Sequence, residues 1–548
     1  MDNLLTNSIL CRKSARAAAL STLLLLSAIP LPRAIGQEAG EIPGPPVPQA
    51  PPAPTDTLFI KEYRVLGTRQ LPQIEVEEAV YPFLGPGRTP EDVEHARAAL
   101  EKAYLDKGYQ TVSVQIPAQD PRGGVVLLQV TEAKVGRLRV EGSRYFSLEA
   151  IKKKVPSLAP GKVPNFNDVS REIVALNQLR DRRVTPVLKP GIEPGTVDID
   201  LQVKDSLPLH GSINLNNRYI ANTTPLRLNG SLSYDNLWDL GHSIGGSFQI
   251  APQRLSDAVV YSGYYIARLP QVDWLSFMVQ GTKQDSDVST LGGSAVAGRG
   301  EILGGRVMIN LPSGANYFHS LSFGVDYKHF DQDLGLADEL IQSPVTYYPF
   351  SINYTASYVT EQSTTELNGG VTFSFRGMGS TQEEFDNRRY ASDAGFIYFR
   401  GELNHTHDLP LGFQVYGGVQ GQVANKALVD SEEFAIGGLD TVRGYLEAEV
   451  LGDNALVGSF EFRSPSLGGF LGIKEWRVYA FTEGGMATVN DPLPEQQDTY
   501  TLASIGGGSR INIFDHLHGS VDLGVPLITQ QNSMAGGLLV TFEIWADF

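Results

Sequence analysis

From Leu209 to Phe548 the chain is a succession of segments of about ten residues, apolar and polar by turns, separated by turn residues. Side chains along a strand point alternately to opposite faces, so this period of two gives each segment one apolar and one polar face. Sixteen segments can be read: Leu209–Arg218, Leu226–Leu237, His242–Ala251, Ala258–Leu269, Trp274–Lys283, Glu301–Leu311, His319–Phe330, Tyr347–Val359, Glu366–Gly377, Ala394–His405, Phe413–Asn425, Ala455–Ser464, Trp476–Thr488, Thr501–Ile513, Gly519–Val525 and Gly537–Phe548. In the last, Leu538, Val540, Phe542, Ile544, Ala546 and Phe548 share one face, and Thr541, Glu543, Trp545 and Asp547 the other. In Leu321 to Tyr327 the odd positions are apolar and the even ones small or acidic. Strands of soluble sandwiches average about five to six residues, whereas a tilted membrane strand needs about ten. An even number closes a barrel without leaving an edge. The expectation is a sixteen-stranded antiparallel transmembrane β-barrel over 207–548. The 57 Gly, 22 Tyr and 24 Phe suit such strands.

The N-terminus reads as a secretory signal over 1–36. Arg12, Lys13 and Arg16 precede the apolar run Ala17–Ile29, and Ala34-Ile35-Gly36 has the small-x-small form of a cleavage site. Cleavage there removes four cations and one acid, taking the formal charge from −17 to −20, which opposes nucleic-acid binding. It also removes the one cysteine, Cys11, so neither a disulfide nor a cysteine metal site is expected in the mature chain. Residues 37–56 form a proline-rich linker, extended at about 3.1 Å per residue.

Residues 57–134 read as a small α+β unit. Leu58–Leu66 is a strand closed by Gly67. Thr89 caps a helix with Pro90 at its first position and Asp92 completing a variant capping box. Val93, Ala96, Leu100, Ala103 and Tyr104 form its buried stripe, and Gly108 ends it. Strands Thr111–Ile116 and Gly124–Thr131 follow. Residues 135–206 repeat the order: a strand around Arg137–Val140, Gly142, a short helix capped by Ser147 running to Val155, a helix over Asn167–Leu179, and strands Val184–Leu188 and Thr196–Val203. Two such units in succession constitute a structural repeat.

The long connection 426–454 holds Gly437-Gly438-Leu439-Asp440-Thr441-Val442-Arg443-Gly444-Tyr445, then Glu447 and Glu449. Gly437-Gly438 permits a sharp turn and Gly444 a positive φ. The string GGLDTVRGYLEAE resembles the signature of the TpsB transporters of two-partner secretion. The stretch Tyr234–His242 is similar to an early strand pair of that family. The resemblance covers nearly all of 57–548. It implies two POTRA (polypeptide-transport-associated) domains, at 57–134 and 135–206, ahead of the barrel. It implies that Val442, Arg443, Gly444 and Tyr445 tip a loop that folds back into the lumen between strands eleven and twelve, which is where the strand count puts them.

The family pairs the loop arginine with an acid on strand thirteen in an F-x-D-x-G pattern. Here that pattern is Phe481, Glu483 and Gly485, with Glu for Asp, and a bidentate contact is expected. The family also carries an N-terminal plug helix, for which residues 37–42 are too short.

The function this implies is export of an unfolded secreted partner, such as an adhesin or haemolysin, from the periplasm through an outer-membrane barrel. Docking by strand addition would use the edge Thr111, Val112, Ser113, Val114, Gln115 and Ile116, or else Thr196–Val203. Phe542, Ile544 and Phe548 are candidates for the C-terminal signal read by the barrel-assembly machinery, and outer-membrane lipid would surround the apolar band. An assembly insertase of the same superfamily, or a passive porin, are the alternative readings. No nucleotide-binding, GxSxG or HExxH string is present, so no enzyme and no cofactor are expected. His405-x-His407 lacks further His ligands nearby, so no metal is expected either.

Overall fold

The computed structural model describes residues 57–548, apart from positions 178, 270–271, 273, 286–287, 290–295, 298, 315, 332, 337–338 and 470–471. The expected signal segment and the proline-rich linker lie outside the described residues. The chain divides after Leu207 into two units, one carrying the α+β domains and one running from Pro208 to Phe548.

In the first α+β domain a central strand, Val125–Glu132, is flanked by Glu62–Leu66 in parallel and Val112–Gln115 in antiparallel. Helices α1 (Gln73–Val80) and α2 (Pro90–Asp106) supply Val76, Val93, Ala96, Leu100 and Tyr104 to one core with Val126, Leu128 and Val130. The expected box is present: Thr89 Oγ1 accepts from Asp92 N at 3.3 Å and Asp92 Oδ2 from Thr89 N at 2.8 Å. Gly108 follows with φ +94°. The expected strand Leu58–Leu66 is broken at Lys61. The amides of Lys61 and Glu62 both donate to the Gly124 carbonyl, and Leu58–Ile60 turns away to pair with Gly85–Arg88.

The second domain has the same plan: Thr196–Asp205 lies between Lys134–Glu141, parallel, and Arg182–Pro190, antiparallel. Thr196–Val203 is therefore not an edge. Val197, Ile199, Leu201 and Val203 are buried on one face. Asp198 and Asp200 are buried on the other under Arg137 and Arg139 of the neighbouring strand. Such two-sided burial marks a central strand. Lys189 and Arg139 hold the Asp200 carboxyl below its usual range. Helix α3 (Leu148–Lys153) ends short of Val155, because Pro156 disfavours helix before it. Asn165 caps helix α4 (Phe166–Leu176). The end of α2 meets the start of α4, with Phe166 N donating to the Gly108 carbonyl at 2.8 Å and Asn165 Nδ2 to Lys107 at 3.0 Å.

The second unit is a closed antiparallel barrel of sixteen staves, numbered here in chain order from stave 1 (Leu209–Asn216) to stave 16 (Leu539–Asp547), which pair with each other. All sixteen segments read from the periodicity are present. Stave 8 alone is in two pieces, Val345–Tyr347 and Phe350–Val359, both paired to stave 7 (Tyr317–Asp331). Pro349, which has no amide to donate, stands in the break. The two faces are as expected: Phe323 and Val325 point outward, while Asp326 faces the lumen and takes Arg306 at 2.9 Å. Ile544 and Phe548 are likewise exposed outward, and the Phe548 ring lies across Gly211 of stave 1.

Candidate functional site

The long connection leaves stave 11 (Gln414–Ala424) and returns to stave 12 (Asn454–Arg463) after folding on itself. Its legs pair as a short hairpin, Phe434–Ile436 with Val450–Gly452. The turn beyond is possible only with glycine. Gly437 and Gly438 have φ of +108° and +97°, and a Cβ on Gly438 would lie 2.2 Å from Glu447 Oε2. At the tip Gly444, φ +92°, lies against the backbone of Gly524 on stave 15 (Leu517–Pro526); a Cβ there would approach Gly524 C to 3.0 Å.

This approach delivers Arg443 to three carboxylates on three different staves. Its Nε donates to Glu483 Oε1 at 2.9 Å, from stave 13 (Ile473–Thr488). Its Nη1 reaches Asp522 of stave 15 at 2.9 Å and Glu461 of stave 12 at 2.8 Å. All four side chains are at most 4% exposed. Both guanidinium contacts to Glu483 fall on Oε1, so the expected two-oxygen fork is not what forms. Glu483 Oε2 instead accepts the backbone amide of Arg443 at 2.7 Å. The extra methylene of Glu lets one carboxylate hold both the side chain and the main chain of the same residue.

The Phe481 ring stacks beneath, 3.6 Å from the guanidinium carbon. Gly485, on the same face of stave 13, leaves room for Val457 and Ile436; a Cβ there would stand 3.0 Å from Val457. Val442 is buried among Ile436, Val457 and Leu502. The Tyr445 hydroxyl donates between the carbonyls of Ala503 and Ile528, at 3.0 and 2.7 Å. The four tip residues and the three of stave 13 thus meet at one place.

The sequence reading omitted Glu461 and Asp522, together with Arg463 and Arg510, which pair with Glu461 at 2.7 and 3.0 Å. It also omitted Tyr479, whose hydroxyl donates to Asp522 at 2.7 Å. Three guanidinium groups face three carboxylates, so the cluster is neutral as a whole. Its signal was present in the strands: Glu461 stands between Phe460 and Phe462, and Asp522 between Val521 and Leu523, each an acid on the lumen face of an apolar stave. A second cluster holds the flank of the tip, where Arg218 pairs with Glu447 at 2.7 Å and with Asp440. The docking-edge candidates belong to the first α+β domain: among the described residues Val112–Gln115 is paired on one side only, to Val125–Glu132, with Thr111 and Ile116 flanking it.

Comparison with known proteins places this geometry. Residues 58–133 match the POTRA domain of ShlB type, and residues 195–511 match the family described as haemolysin secretion/activation protein ShlB/FhaC/HecB. The outer membrane transporter CdiB of Dickeya dadantii (strain 3937) is 23% identical over 447 residues, covering 74% of this chain and 71% of that protein. Among solved structures, CdiB from Escherichia coli superposes with a TM-score of 0.67 at 20% identity, over 100% of this chain and 97% of that one. BamA from Haemophilus ducreyi lacking POTRA domains 1–3 gives 0.54 at 14% identity, over 89% and 100%.

Two variants separate the roles of Glu483. Glu483→Asp keeps the charge but is too short to hold guanidinium and amide together, whereas Glu483→Gln leaves Arg443 with less compensating charge in a buried site, at a cost of about 3–5 kcal/mol. Protease sensitivity of 437–448 is expected to rise modestly in the first and strongly in the second.

Proposed function

Since the chain belongs to the ShlB/FhaC/HecB family of haemolysin secretion/activation proteins, an outer-membrane transporter of two-partner secretion with its POTRA domains in the periplasm, we propose that the Arg443 cluster is the lock on its export route. The observation that carries this is a loop held inside a closed barrel by one buried cation shared among carboxylates of three staves. Each contact is strong only while the tip stays docked and water stays out. Hydrating the lumen weakens all of them together, so an entering polypeptide releases the tip cooperatively. The insertase reading has less behind it, because the family match over 195–511 is to secretion proteins.

The exported partner reaches the barrel unfolded and docks first on the POTRA pair. The edge Val112–Gln115 suits strand addition, since main-chain donors and acceptors there have no strand beyond them among the described residues. Folding of the exoprotein outside supplies the drive. The outward apolar bands of the staves meet lipid, and Phe542, Ile544 and Phe548 present the C-terminal signal to the assembly machinery.

Two results test this reading. Arg443→Ala is expected to assemble into a heat-modifiable barrel in normal amount yet to release less than about a tenth of the wild-type exoprotein into the medium; normal export by that variant refutes the lock. A proline at Ser113 or Gln115, which unlike Val112 and Val114 lie outside the domain's core, is expected to abolish binding of the exoprotein's N-terminal region to the transporter while the domain stays folded by circular dichroism; unchanged binding refutes the edge.

A further inference from the structure

The lumen loop is attached twice, and the second attachment is of a different kind from the first. Between stave 9 (Ser363–Phe373) and stave 10 (Ile397–Asp408) runs the loop 374–396, which carries helix α5 (Gln382–Arg388). Thr381 and Glu384 form a capping box at its start. The Arg388 side chain is fully buried. It forks onto Asp430 through Nε at 3.1 Å and Nη2 at 2.8 Å, and its Nη1 donates to the Ser343 carbonyl at 3.3 Å. Arg389 forks onto Asp453 at 2.9 and 2.7 Å. Asp430 belongs to the outgoing leg of the lumen loop and Asp453 closes its return leg.

Around this pair of forks the legs are bound further. Buried Glu432 accepts from the hydroxyls of Tyr347 and Tyr398, at 2.6 and 2.8 Å, and from Lys328 Nζ at 2.5 Å. Asp453 also accepts the amides of Leu428 and Asn490. Beneath these groups Phe385 of α5 packs with Tyr347, Phe396, Leu428 and Val429 in one apolar cluster. Withdrawing the legs would expose that cluster and strip several buried charges of their partners at once.

The backbone marks where the fixed part ends. Gly437 and Gly438 lie just past the outgoing strand of the hairpin. On the return side Ala448 has φ +50°, a strained value for a residue with a Cβ. Between these two points lies 439–447, the segment that carries Arg443.

We infer that the lumen loop opens only in part. Segment 439–447 swings about Gly437-Gly438 and Ala448, while the legs 426–436 and 450–453 remain clamped by loop 374–396. Arg388 and Arg389 are then positioning residues: they hold the legs so that a released tip returns to the same three carboxylates. This inference rests on Arg443 being the lock.

A reversible cross-link tests it. The Asp393 amide donates to the Ala427 carbonyl at 3.1 Å. Such contact brings Cα atoms within the roughly 4.4–6.8 Å that a disulfide spans. In the double variant Asp393→Cys, Ala427→Cys, with Cys11 replaced by Ser, oxidation is expected to change export by less than about twofold against the same protein reduced. Loss of export on oxidation, restored by reductant, overturns the inference. Hydrogen–deuterium exchange on the wild-type transporter with exoprotein arrested in transit needs no substitution. Uptake is expected to rise in 437–448 and to stay low in 426–436 and 450–453. A rise in the legs as well overturns partial opening but keeps the lock. No rise in either overturns both.

Discussion

The structure turns on a buried arginine that no single partner can neutralise well. A charge withdrawn from water is tolerated only when paired and fully hydrogen-bonded. Arg443 meets that condition by drawing on staves 12, 13 and 15 simultaneously. Everything that brings it there serves this condition. The two glycines make the turn, Gly444 and Gly524 let two backbones touch, and Phe481 covers the open face of the guanidinium. Because the carboxylates come from separate staves, the docked tip also ties together one stretch of the barrel wall, staves 12 to 15.

The barrel makes such a cluster affordable. Its outward face is apolar, so polar residues collect inside, where alternate positions of every stave project. The same alternation that identifies the strands therefore also fills the lumen with ionisable groups. Arg306 with Asp326, on staves 6 and 7, is formed by this rule. The Arg443 cluster differs in that its central cation comes from a loop, held by contacts to the barrel wall, rather than from a stave.

What could be read in advance follows the same division. Period-two alternation marked all sixteen staves, and local chemistry marked the Thr89–Asp92 box, the helix end at Gly108, the turn at Gly437-Gly438 and the positive φ of Gly444. Helix α1 was missed because its cap position is Pro72, with no side chain to accept an amide. The strand Thr196–Asp205 was misplaced at an edge because position within a sheet depends on partners about sixty residues away. Glu461 and Asp522 were missed for a related reason: each is visibly a lumen residue, but that both converge on Arg443 depends on barrel closure. The clamp from loop 374–396 likewise joins segments whose proximity no local pattern encodes, and its short helix, opened by the Thr381–Glu384 capping box, was not read from the sequence.

The central claim is that the tip must leave its carboxylates for export to proceed. Glu447 N donates to the Tyr219 carbonyl at 3.1 Å, which makes these two positions suitable for a reversible tether between the tip segment and the connection that follows stave 1. In the double variant Tyr219→Cys, Glu447→Cys, with Cys11 replaced by Ser, the decisive measurement is exoprotein released by the oxidised and the reduced transporter. The account predicts that export stops while the disulfide is intact and resumes on reduction. Undiminished export through the tethered protein would contradict it.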